Sequence, residues 1–383
     1  MTRPLAVLAP VTAAAVLIAA LTGCTPGHLP APHASPSTPS ANVTGMAADT
    51  SPPQPALDLD CSRLFASPAF AVDYGAGVLH PVDPLVVQGA ISSNIPDADV
   101  LQSVGGISCD WSNGAPAAPH GGGTTPVEVS LTVLPHAAST WARYDGLYGA
   151  AGEGVQCDMP GPDLNCTSEQ LIGTNWMELT MLGIVGETQA NDLAAAITAI
   201  ISSAGPGAGP WTPPRGTTTF GDCTQLLVPT QVATDLGVSG VGIQFTQPAG
   251  GWSIQAATRE AAHAEGCLLQ FTGEDNIAGQ ITWLRGGSWA YDPALAAADP
   301  GWGVRTAAPI SGLAAGDRAQ VRCSDPTLSD EGVTVCTVDL ELGGNWIQVI
   351  VSPTPGDHVT ADVRTAAVAI AGHLVSGYNA HAH

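Results

Sequence analysis

Two stretches of the chain carry the same pattern of polar and apolar positions. One begins at Cys166 and the other at Cys336, and each reaches a tryptophan at the same spacing through a turn that contains Gly and Asn. Beyond the turn, apolar residues alternate with polar ones, which is the period of a β-strand that buries one face. Because Gly and Asn tolerate the positive φ angles of tight turns, the pattern predicts one β-hairpin in each copy. The predicted buried positions are Met177, Leu179 and Met181 in the first copy and Ile347, Val349 and Val351 in the second.

Other parts of the chain show the periods of strands and helices. Residues 106–111 and the alternating stretch 127–133 predict strands before the first hairpin, and Ser139 begins a predicted short helix. Residues 228–236 predict a helix that ends at Gly237. A closing helix follows each hairpin, the first with Thr188 as its predicted N-cap. The apolar faces of these closing helices are Leu193, Ile197, Ile200 and Ile201 in the first copy, and Val363, Ala367, Ile370 and Leu374 in the second.

The repeated pattern divides the chain. It predicts a first module at residues 57–204, a Gly/Pro-rich linker at 205–219 and a second module at 220–378, followed by a disordered end at 379–383. The predicted fold class is α+β: two tandem disulfide-bonded modules, each an antiparallel sheet packed by helices. The second module also has an extra segment, residues 293–310, that the first module lacks. We expect that segment to be where the two copies differ in function.

The N-terminus indicates export. Residues 1–24 have a positive start at Arg3 and an apolar run that ends in a small-residue sequence, as in cleaved signal peptides. The sequence Leu21-Thr22-Gly23-Cys24 resembles a bacterial lipobox, which implies that Cys24 is lipidated, with palmitate among its acyl chains, and holds the protein on a membrane. The alternative is ordinary secretion with a chance cysteine. Residues 25–56 are rich in Pro, Ser, Thr and Ala and predict a tether.

The cysteine count agrees with export. There are nine cysteines, and setting Cys24 aside leaves four in each module, an even set that indicates disulfides in an exported chain. Each module allows three pairings. The last two cysteines of each copy flank a short loop ahead of the hairpin, which favours joining them. The favoured pairs are Cys61–Cys109, Cys157–Cys166, Cys223–Cys267 and Cys323–Cys336.

Charge limits the partners. The chain has 33 acidic residues against 10 basic ones and a formal charge of −23. Such a chain has nothing to neutralise a row of phosphates, so we expect no nucleic-acid partner. It is equally unsuited to electrostatic binding of anionic lipid headgroups.

A family resemblance rests on motifs in the second module. They are Cys223 with Leu226-Leu227, Leu236-Gly237, Cys267, Gly312-Leu313 with Gly316-Asp317 and Ala319, and the stretch from Cys336 to Trp346. This combination resembles actinobacterial cell-envelope lipoprotein domains of unknown function, and is similar in plan to the extracellular sensor domain of mycobacterial receptor kinases. The resemblance implies an antiparallel sheet with helices against it and implies no reaction. The first module departs from it at residues 149–154, where the Asp and Ala of the turn are missing.

Candidate binding residues are few. By alternation, Trp176 and Trp346 lie on the face opposite the predicted core. Each is either secondary core under a helix or loop, or a stacking platform for a sugar or another flat ligand. Asp317 and Arg318 are either turn residues or part of a cleft. No catalytic motif is recognisable, and we predict no catalytic residue, cofactor or metal ligand.

These features predict a non-catalytic lipoprotein on the extracytoplasmic face of the cell membrane. Its two sensor-like modules would bind an envelope ligand or a partner protein. One alternative is a structural spacer, which predicts no deep pocket in either module. Another is a cell-envelope hydrolase, which requires a polar cleft with paired carboxylates or a Ser–His contact.

Overall fold

Two antiparallel sheets with helices form the framework of the chain. A computed structural model describes residues 51–71, 78–84, 94–114, 127–148, 154–158, 164–184, 186–214, 216–218, 222–247, 253–264, 266–296, 302–326, 333–353 and 358–381. Residues 47–383 belong to one compact unit. The predicted α+β class with antiparallel sheets is confirmed.

The first module has the following elements among the described residues: α1 (Cys61–Phe65), a 3-10 turn (Pro68–Ala71), β1 (His80–Val82), α2 (Asp97–Ser103), β2 (Ile107–Ser112), β3 (Glu128–Leu134), α3 (Ala138–Tyr148), β4 (Val155–Cys157), β5 (Leu164–Ile172), β6 (Asn175–Ile184) and α4 (Glu187–Ser203).

The second module repeats this order with additions: α5 (Cys223–Leu226), α6 (Pro229–Asp235), β7 (Ile243–Thr246), α7 (Ile254–Ala261), β8 (Cys267–Phe271), β9 (Ile277–Leu284), α8 (Ser288–Ala296), β10 (Thr306–Ala307), β11 (Arg318–Cys323), β12 (Cys336–Leu342), β13 (Asn345–Val351) and α9 (Val363–His381).

The two sheets share one strand order. It is β1-β2-β3-β6-β5-β4 in the first module and β7-β8-β9-β13-β12-β11-β10 in the second. The strand pairs are antiparallel. The predicted hairpins are β5–β6 and β12–β13, which lie side by side in the middle of each sheet. The duplication read from the sequence is therefore a duplication of topology.

The turn chemistry differs from the expectation in one respect. Gly173, Gly343 and Gly344 have the positive φ angles that the tight turns require (64°, 55° and 82°). Asn345 instead begins strand β13 and is fully buried. Its side chain accepts a hydrogen bond from the Gly286 amide (3.2 Å) and donates to the Leu342 carbonyl (3.1 Å). The asparagine therefore stabilises the turn by hydrogen bonds and does not supply the positive φ.

Each sheet buries one face under its closing helix, and we call this its core face. The predicted strand positions of both hairpins are buried there, together with Leu193, Ile197 and Ile201 of α4 and Ala367, Ile370 and Leu374 of α9. The N-cap of α4 is Gly186, whose lack of a side chain leaves no cap hydrogen bond, so the prediction of Thr188 as the cap is wrong.

Four disulfides tie helices and strands to these cores. Cys61–Cys109 joins α1 to β2 and Cys223–Cys267 joins α5 to β8, whereas the other two bonds link neighbouring strands within each sheet. The neighbouring-strand bonds are Cys157–Cys166 and Cys323–Cys336. All four favoured pairs are confirmed, and none joins the two modules. A disulfide of this kind stabilises a domain by roughly 2–4 kcal/mol.

Segments at the predicted boundaries are bound to the folded body. The end of the predicted tether pairs with the start of the linker: the Gly207 amide donates to the Ala56 carbonyl and the Ala208 amide to the Pro55 carbonyl (2.8 and 2.9 Å). The closing helix α9 runs to His381, so residues 379–381 are helical where we expected a disordered end. Unsatisfied backbone groups explain both differences, because pairing them is favourable wherever a partner lies within reach.

In each sheet, the face opposite the core face points toward the other module. We call it the second face of that sheet. One apolar cluster combines Ile95 and Val100 of the first module with Leu284, Trp289 and Trp346 of the second. In a second cluster the second module supplies the covering helix: Ile254 and Ala257 of α7 pack among residues of the first module. These residues include Leu101, Leu134 and Trp176. Each module therefore contributes a helical segment that covers the other module's second face.

Within the described part of the chain, no helix combines the length and apolar character that crossing a bilayer requires.

Candidate functional site: a polar cleft on the first module's second face

Polar side chains form a regular array on the second face of the first sheet. Strand pairing aligns Ser108 with Thr132 and Thr132 with Glu178 in one row across β2, β3 and β6. The next row aligns Asp110 with Ser130 and Ser130 with Thr180. These residues alternate with the apolar residues of the core face, so strand period alone directs all six to the same side.

Helices α2 and α7 close this array into a cleft of about 260 Å³. Its described lining is the six strand residues together with Asp97, Ala98 and Leu101 of α2 and Gln255 and Thr258 of α7. Helix α7 forms here because Ser253 caps its N-terminus, accepting a hydrogen bond from the Ala256 amide (3.2 Å). Its apolar side, with Ile254 and Ala257, then packs beside the cleft against the first module. Both modules therefore contribute to the polar cleft.

Asp110 is the most unusual group in the cleft. It is only 7% exposed, and its Oδ1 accepts a short hydrogen bond from the Ser130 hydroxyl. Its other carboxylate oxygen, Oδ2, is buried without a hydrogen-bond partner. Burial raises the pKa of Asp110, and the charges of Glu128 and Asp83 raise it further, whereas the Ser130 hydrogen bond lowers it. An unsatisfied buried carboxylate oxygen is costly, so a donor that reached it would stabilise the folded protein.

Glu178 lies beside a second carboxyl group. It pairs directly across strands with Glu169 on β5, so the two side chains lie next to each other on the second face. Burial raises the pKa of Glu169 to about 7, and the neighbouring Glu178 contributes to the rise. Two carboxyl groups this close share one proton, because both cannot ionise without repulsion. Gln255 of α7 donates to Glu178 Oε1 (3.0 Å), so the second module reaches into the cleft at this point.

An ion pair holds the two covering helices together at the edge of the cleft. Arg259 of α7 lies 2.5 Å from Asp97 of α2 and also donates to the Ile95 carbonyl (3.3 Å). Arg143 and Glu260 form a second, more exposed pair between the modules. Partly exposed pairs of this kind contribute little energy, so their main effect is to set the register of the helices.

A neighbouring cavity of about 290 Å³ lies on the other side of α2 and shares Ala98 and Ser108 with the cleft. Asp99 lines it, is 4% exposed and has a carboxylate oxygen without a partner. Burial, with a smaller effect from Asp83, raises the pKa of Asp99 to about 7. Buried carboxyl groups with raised pKa values therefore lie on both sides of one short helix.

The second module has a different arrangement at the equivalent positions. Asp339 replaces Glu169 and is 1% exposed. Its Oδ1 accepts hydrogen bonds from Trp346 Nε1 (3.2 Å) and Gln348 Nε2 (2.8 Å), and its Oδ2 lies 3.8 Å from Arg305 Nε. Arg305 belongs to the extra segment that the sequence distinguished. That segment therefore supplies a positive charge to a buried carboxylate.

The candidate tryptophans are buried between helices and sheets. Trp176 is 0% and Trp346 1% exposed. Trp176 contacts the rings of Trp141 and Tyr144 (centroids 5.2 and 4.9 Å away), and Tyr291 lies edge-on to Trp346 (6.1 Å). Of the two expected roles, the geometry agrees with secondary core, since neither indole face is open to a stacking ligand.

Asp317 and Arg318 lie at the start of β11, next to β10 at the edge of the second sheet. Asp317 accepts hydrogen bonds from the Ala314 and Gly343 amides (3.1 and 3.0 Å), which joins one turn to the hairpin. Arg318 pairs with Asp292 and Glu341 and lies 4.8 Å from the centre of the Tyr291 ring. These contacts are those of turn and edge residues, and neither residue lines the polar cleft.

Sequence reasoning missed the cleft residues. A signal for the cleft was present, because polar residues alternate with the core residues along β2, β3 and β6. From the sequence, only the two tryptophans were considered as binding residues on the second face. The predicted lipidation site Cys24 and most of the departure at residues 149–154 lie outside the described residues. Among the described residues, no group of three His, Cys, Asp or Glu side chains is placed to hold a metal ion.

Comparison with protein-family models, curated proteins and solved structures finds no match to the chain. The resemblance to envelope lipoprotein domains therefore stays a prediction from its motifs.

Proposed function

We propose that this protein is a lipid-anchored receptor on the extracytoplasmic face of the membrane that binds an envelope ligand without catalysis. The observation that carries the proposal is the polar cleft, whose Asp110 has a buried carboxylate oxygen with no partner. Folding leaves such an atom unsatisfied only at a cost, which a ligand that donates a hydrogen bond would recover. The lipobox-like sequence, the tether and the disulfides support an extracytoplasmic location.

The cleft favours binding over the two alternatives. A spacer predicts no deep pocket, whereas cavities of about 260 and 290 Å³ lie in the first module. A hydrolase is favoured by the pair of Glu169 and Glu178, because one of the two holds a proton near neutral pH. However, the two carboxyl groups of a glycoside hydrolase stand about 5–10 Å apart around the scissile bond. Here Glu169 and Glu178 are direct cross-strand neighbours, whose Cβ atoms are typically about 4.5–5.5 Å apart, so the two side chains contact each other more readily than they flank a substrate.

The location is tested in the native cell with the Cys24→Ser variant. Metabolic labelling with an alkyne fatty acid should label the wild-type protein, which should fractionate with membranes, whereas the variant should be unlabelled and leave the membrane fraction. Label on the variant, or intact wild-type protein in the cytosol, would refute the anchor.

The binding role is tested with envelope extract. Fractions of the extract are added to the wild-type full chain and the melting temperature is measured. A ligand at 100 times its Kd should add about 2.7 kcal/mol to the stability of the folded state. Thr180→Tyr, which fills the cleft, should abolish the shift, and Thr188→Tyr at an exposed helix position should retain it. An equal shift in both variants would place the binding elsewhere.

The hydrolase alternative has its own measurement. Wall fragments incubated with the wild-type protein should stay intact, as they should with Glu178→Gln. Cleavage that is lost in Glu178→Gln would replace the binding proposal with a catalytic one.

A further inference from the structure

We infer that the polar cleft of the first module binds a small primary ammonium compound that also carries hydroxyl groups. The inference rests on the proposed binding function and names the ligand's chemistry. It follows from the charge of the lining, from one unsatisfied buried atom and from the kinds of polar groups that surround it.

The first observation is the charge of the cleft. Of the described residues that line it, Asp97, Asp110 and Glu178 carry carboxyl groups and none carries a basic group. The guanidinium of Arg259 binds Asp97 at the edge, which leaves Asp110 and Glu178 without an opposite charge inside. Glu128 and Asp83 add further negative charge from a neighbouring strand and loop. Such a cleft attracts a cation and repels an anion.

The second observation is independent of net charge. Asp110 is only 7% exposed, and its Oδ2 is buried without a hydrogen-bond partner. In its ionised form a carboxylate only accepts hydrogen bonds, so a cationic donor would pair this oxygen and also favour the ionised form of Asp110 over the protonated one. An ammonium group supplies both the donor and the compensating charge, and charge-assisted hydrogen bonds are about twice as strong as neutral ones.

The rest of the lining indicates what the ammonium is attached to. Around Asp110 and Glu178 lie the hydroxyl groups of Ser108, Thr132 and Thr180 and the amide of Gln255. Hydroxyl groups donate and accept, so they match hydroxyl groups of a ligand. The volume of about 260 Å³ corresponds to roughly nine water molecules at about 30 Å³ each, which is room for a small molecule and far more than a bare ion needs.

The lining also distinguishes between kinds of ammonium. Quaternary ammonium groups have no N–H donor and are recognised by aromatic cages. The described residues of the cleft include no aromatic side chain. The unsatisfied Asp110 oxygen needs an N–H donor, and the neighbouring acceptors, Glu178 and the Ser and Thr hydroxyls, favour a primary ammonium because it offers three donors.

The test compares two nearly isosteric probes, glucosamine and glucose, which differ in an ammonium group against a hydroxyl. Binding to the full chain in detergent micelles is measured by calorimetry at pH 7, where an aliphatic amine is largely protonated. We expect glucosamine to bind at least tenfold more tightly than glucose. Equal affinities, no binding of glucosamine, or displacement of glucosamine by millimolar calcium at constant ionic strength would overturn the inference.

Variants place the binding in the cleft. Asp110→Asn keeps the shape of the side chain and should weaken glucosamine binding at least tenfold, with glucose unchanged. Asp235→Asn is the matched control, a carboxyl group of the second module with a raised pKa that lies outside the cleft, and its affinity should equal that of the wild type. If Asp110→Asn does not fold, Glu178→Gln takes its place with the same expected loss. Unchanged affinity in the folded variant would overturn the inference.

The outcomes separate this inference from the proposed function. Failure of glucosamine with a retained melting-temperature shift from envelope extract would reject the ammonium and leave the receptor. Loss of that shift in the wild-type protein would reject the receptor itself.

Discussion

The two sheets have the same strand order, but the carboxyl groups on their second faces have different surroundings. In the second module, Asp339 receives two hydrogen bonds and a nearby guanidinium from the extra segment. In the first module, the equivalent Glu169 faces Glu178, a second carboxyl group, and Tyr144. The buried Asp339 has a positive charge nearby, whereas the half-buried Glu169 has a raised pKa and keeps its proton to higher pH.

The difference extends along the neighbouring row. The positions of Asp110 and Thr180 in the first module correspond to Leu268 and Ile350 in the second. These two polar positions of the cleft are therefore apolar in the second module, whereas Ser130 and Glu178 correspond to the polar Gln280 and Gln348.

Both copies keep a buried carboxylate oxygen without a hydrogen-bond partner, Asp110 Oδ2 in the first and Asp339 Oδ2 in the second. What differs is the charge nearby: Arg305 lies 3.8 Å from Asp339, whereas the described lining of the cleft around Asp110 contains no basic residue. Four measurements test this comparison between the modules.

The largest effect should come from removing the buried indoles that both faces share. Trp176→Ala and Trp346→Ala each delete a fully buried ring, and such truncations cost about 3–5 kcal/mol. Urea denaturation with the disulfides intact should show a loss of that size in both variants. Leu182→Ala, at an exposed position on the same strand as Trp176, serves as the control. A loss below about 1 kcal/mol in either tryptophan variant would mean that the other module does not cover that ring.

Arg305→Ala should remove the compensation that distinguishes the second module. It leaves Asp339 buried without its positive neighbour, and breaking one partner of a buried pair costs about 3 kcal/mol. The double variant Arg305→Ala/Asp339→Asn should recover much of this loss in the same denaturation experiment. Arg364→Ala removes an exposed arginine and should be near neutral. No recovery in the double variant would show that Arg305 acts by packing alone.

The uncompensated acids of the first module should make stability depend on pH. The pKa of Glu169 is raised from 4.5 to about 7 in the folded protein, so the folded state holds this proton more tightly than the unfolded chain. Below pH 4.5 both states are protonated and the stabilisation is fully present. It is lost as the pH rises from about 4.5 through about 7, and above that both states are ionised.

Glu169→Gln should therefore flatten the decline of the unfolding free energy between pH 4.5 and 7, measured by denaturation at several pH values. Asp99→Asn should remove another part of this decline over nearly the same pH range, because the pKa of Asp99 is also raised to about 7. Glu187→Gln, an exposed position, should keep the wild-type slope. A wild-type slope in Glu169→Gln as well would contradict the shared proton.

The smallest effect should come from the ion pair at the edge of the cleft. Arg259 and Asp97 are 26% and 45% exposed in their side chains, so Arg259→Ala should cost at most about 1 kcal/mol. The difference from the wild type should shrink in high salt, because the Debye length is then only a few ångströms. A loss of several kcal/mol would show that ion pairs, and not the apolar clusters, join the modules.

Local patterns predicted much of the fold. The strands, the hairpins and the apolar faces of the closing helices follow from period and turn chemistry, which depend on neighbouring residues only. The disulfide pairing follows from two local features: four cysteines in each copy, and a short loop between the last two of them, which favours joining that pair. The boundaries near residues 53–58, 205–208 and 379–381 were less well predicted, because their order depends on hydrogen bonds to distant parts of the chain.

The chain's own pattern was enough to establish two copies of one disulfide-bonded antiparallel sheet, since periodicity and cysteine parity are properties of short segments. It could not establish that α2 and α7 each cover the other module, because that pairing joins residues about 160 positions apart, as in Arg259 with Asp97 (separated by 162). Burial follows from that packing: it turns Trp176 into core, leaves Asp110 without a donor and raises the pKa of Glu169. The cleft is therefore a product of how the modules dock.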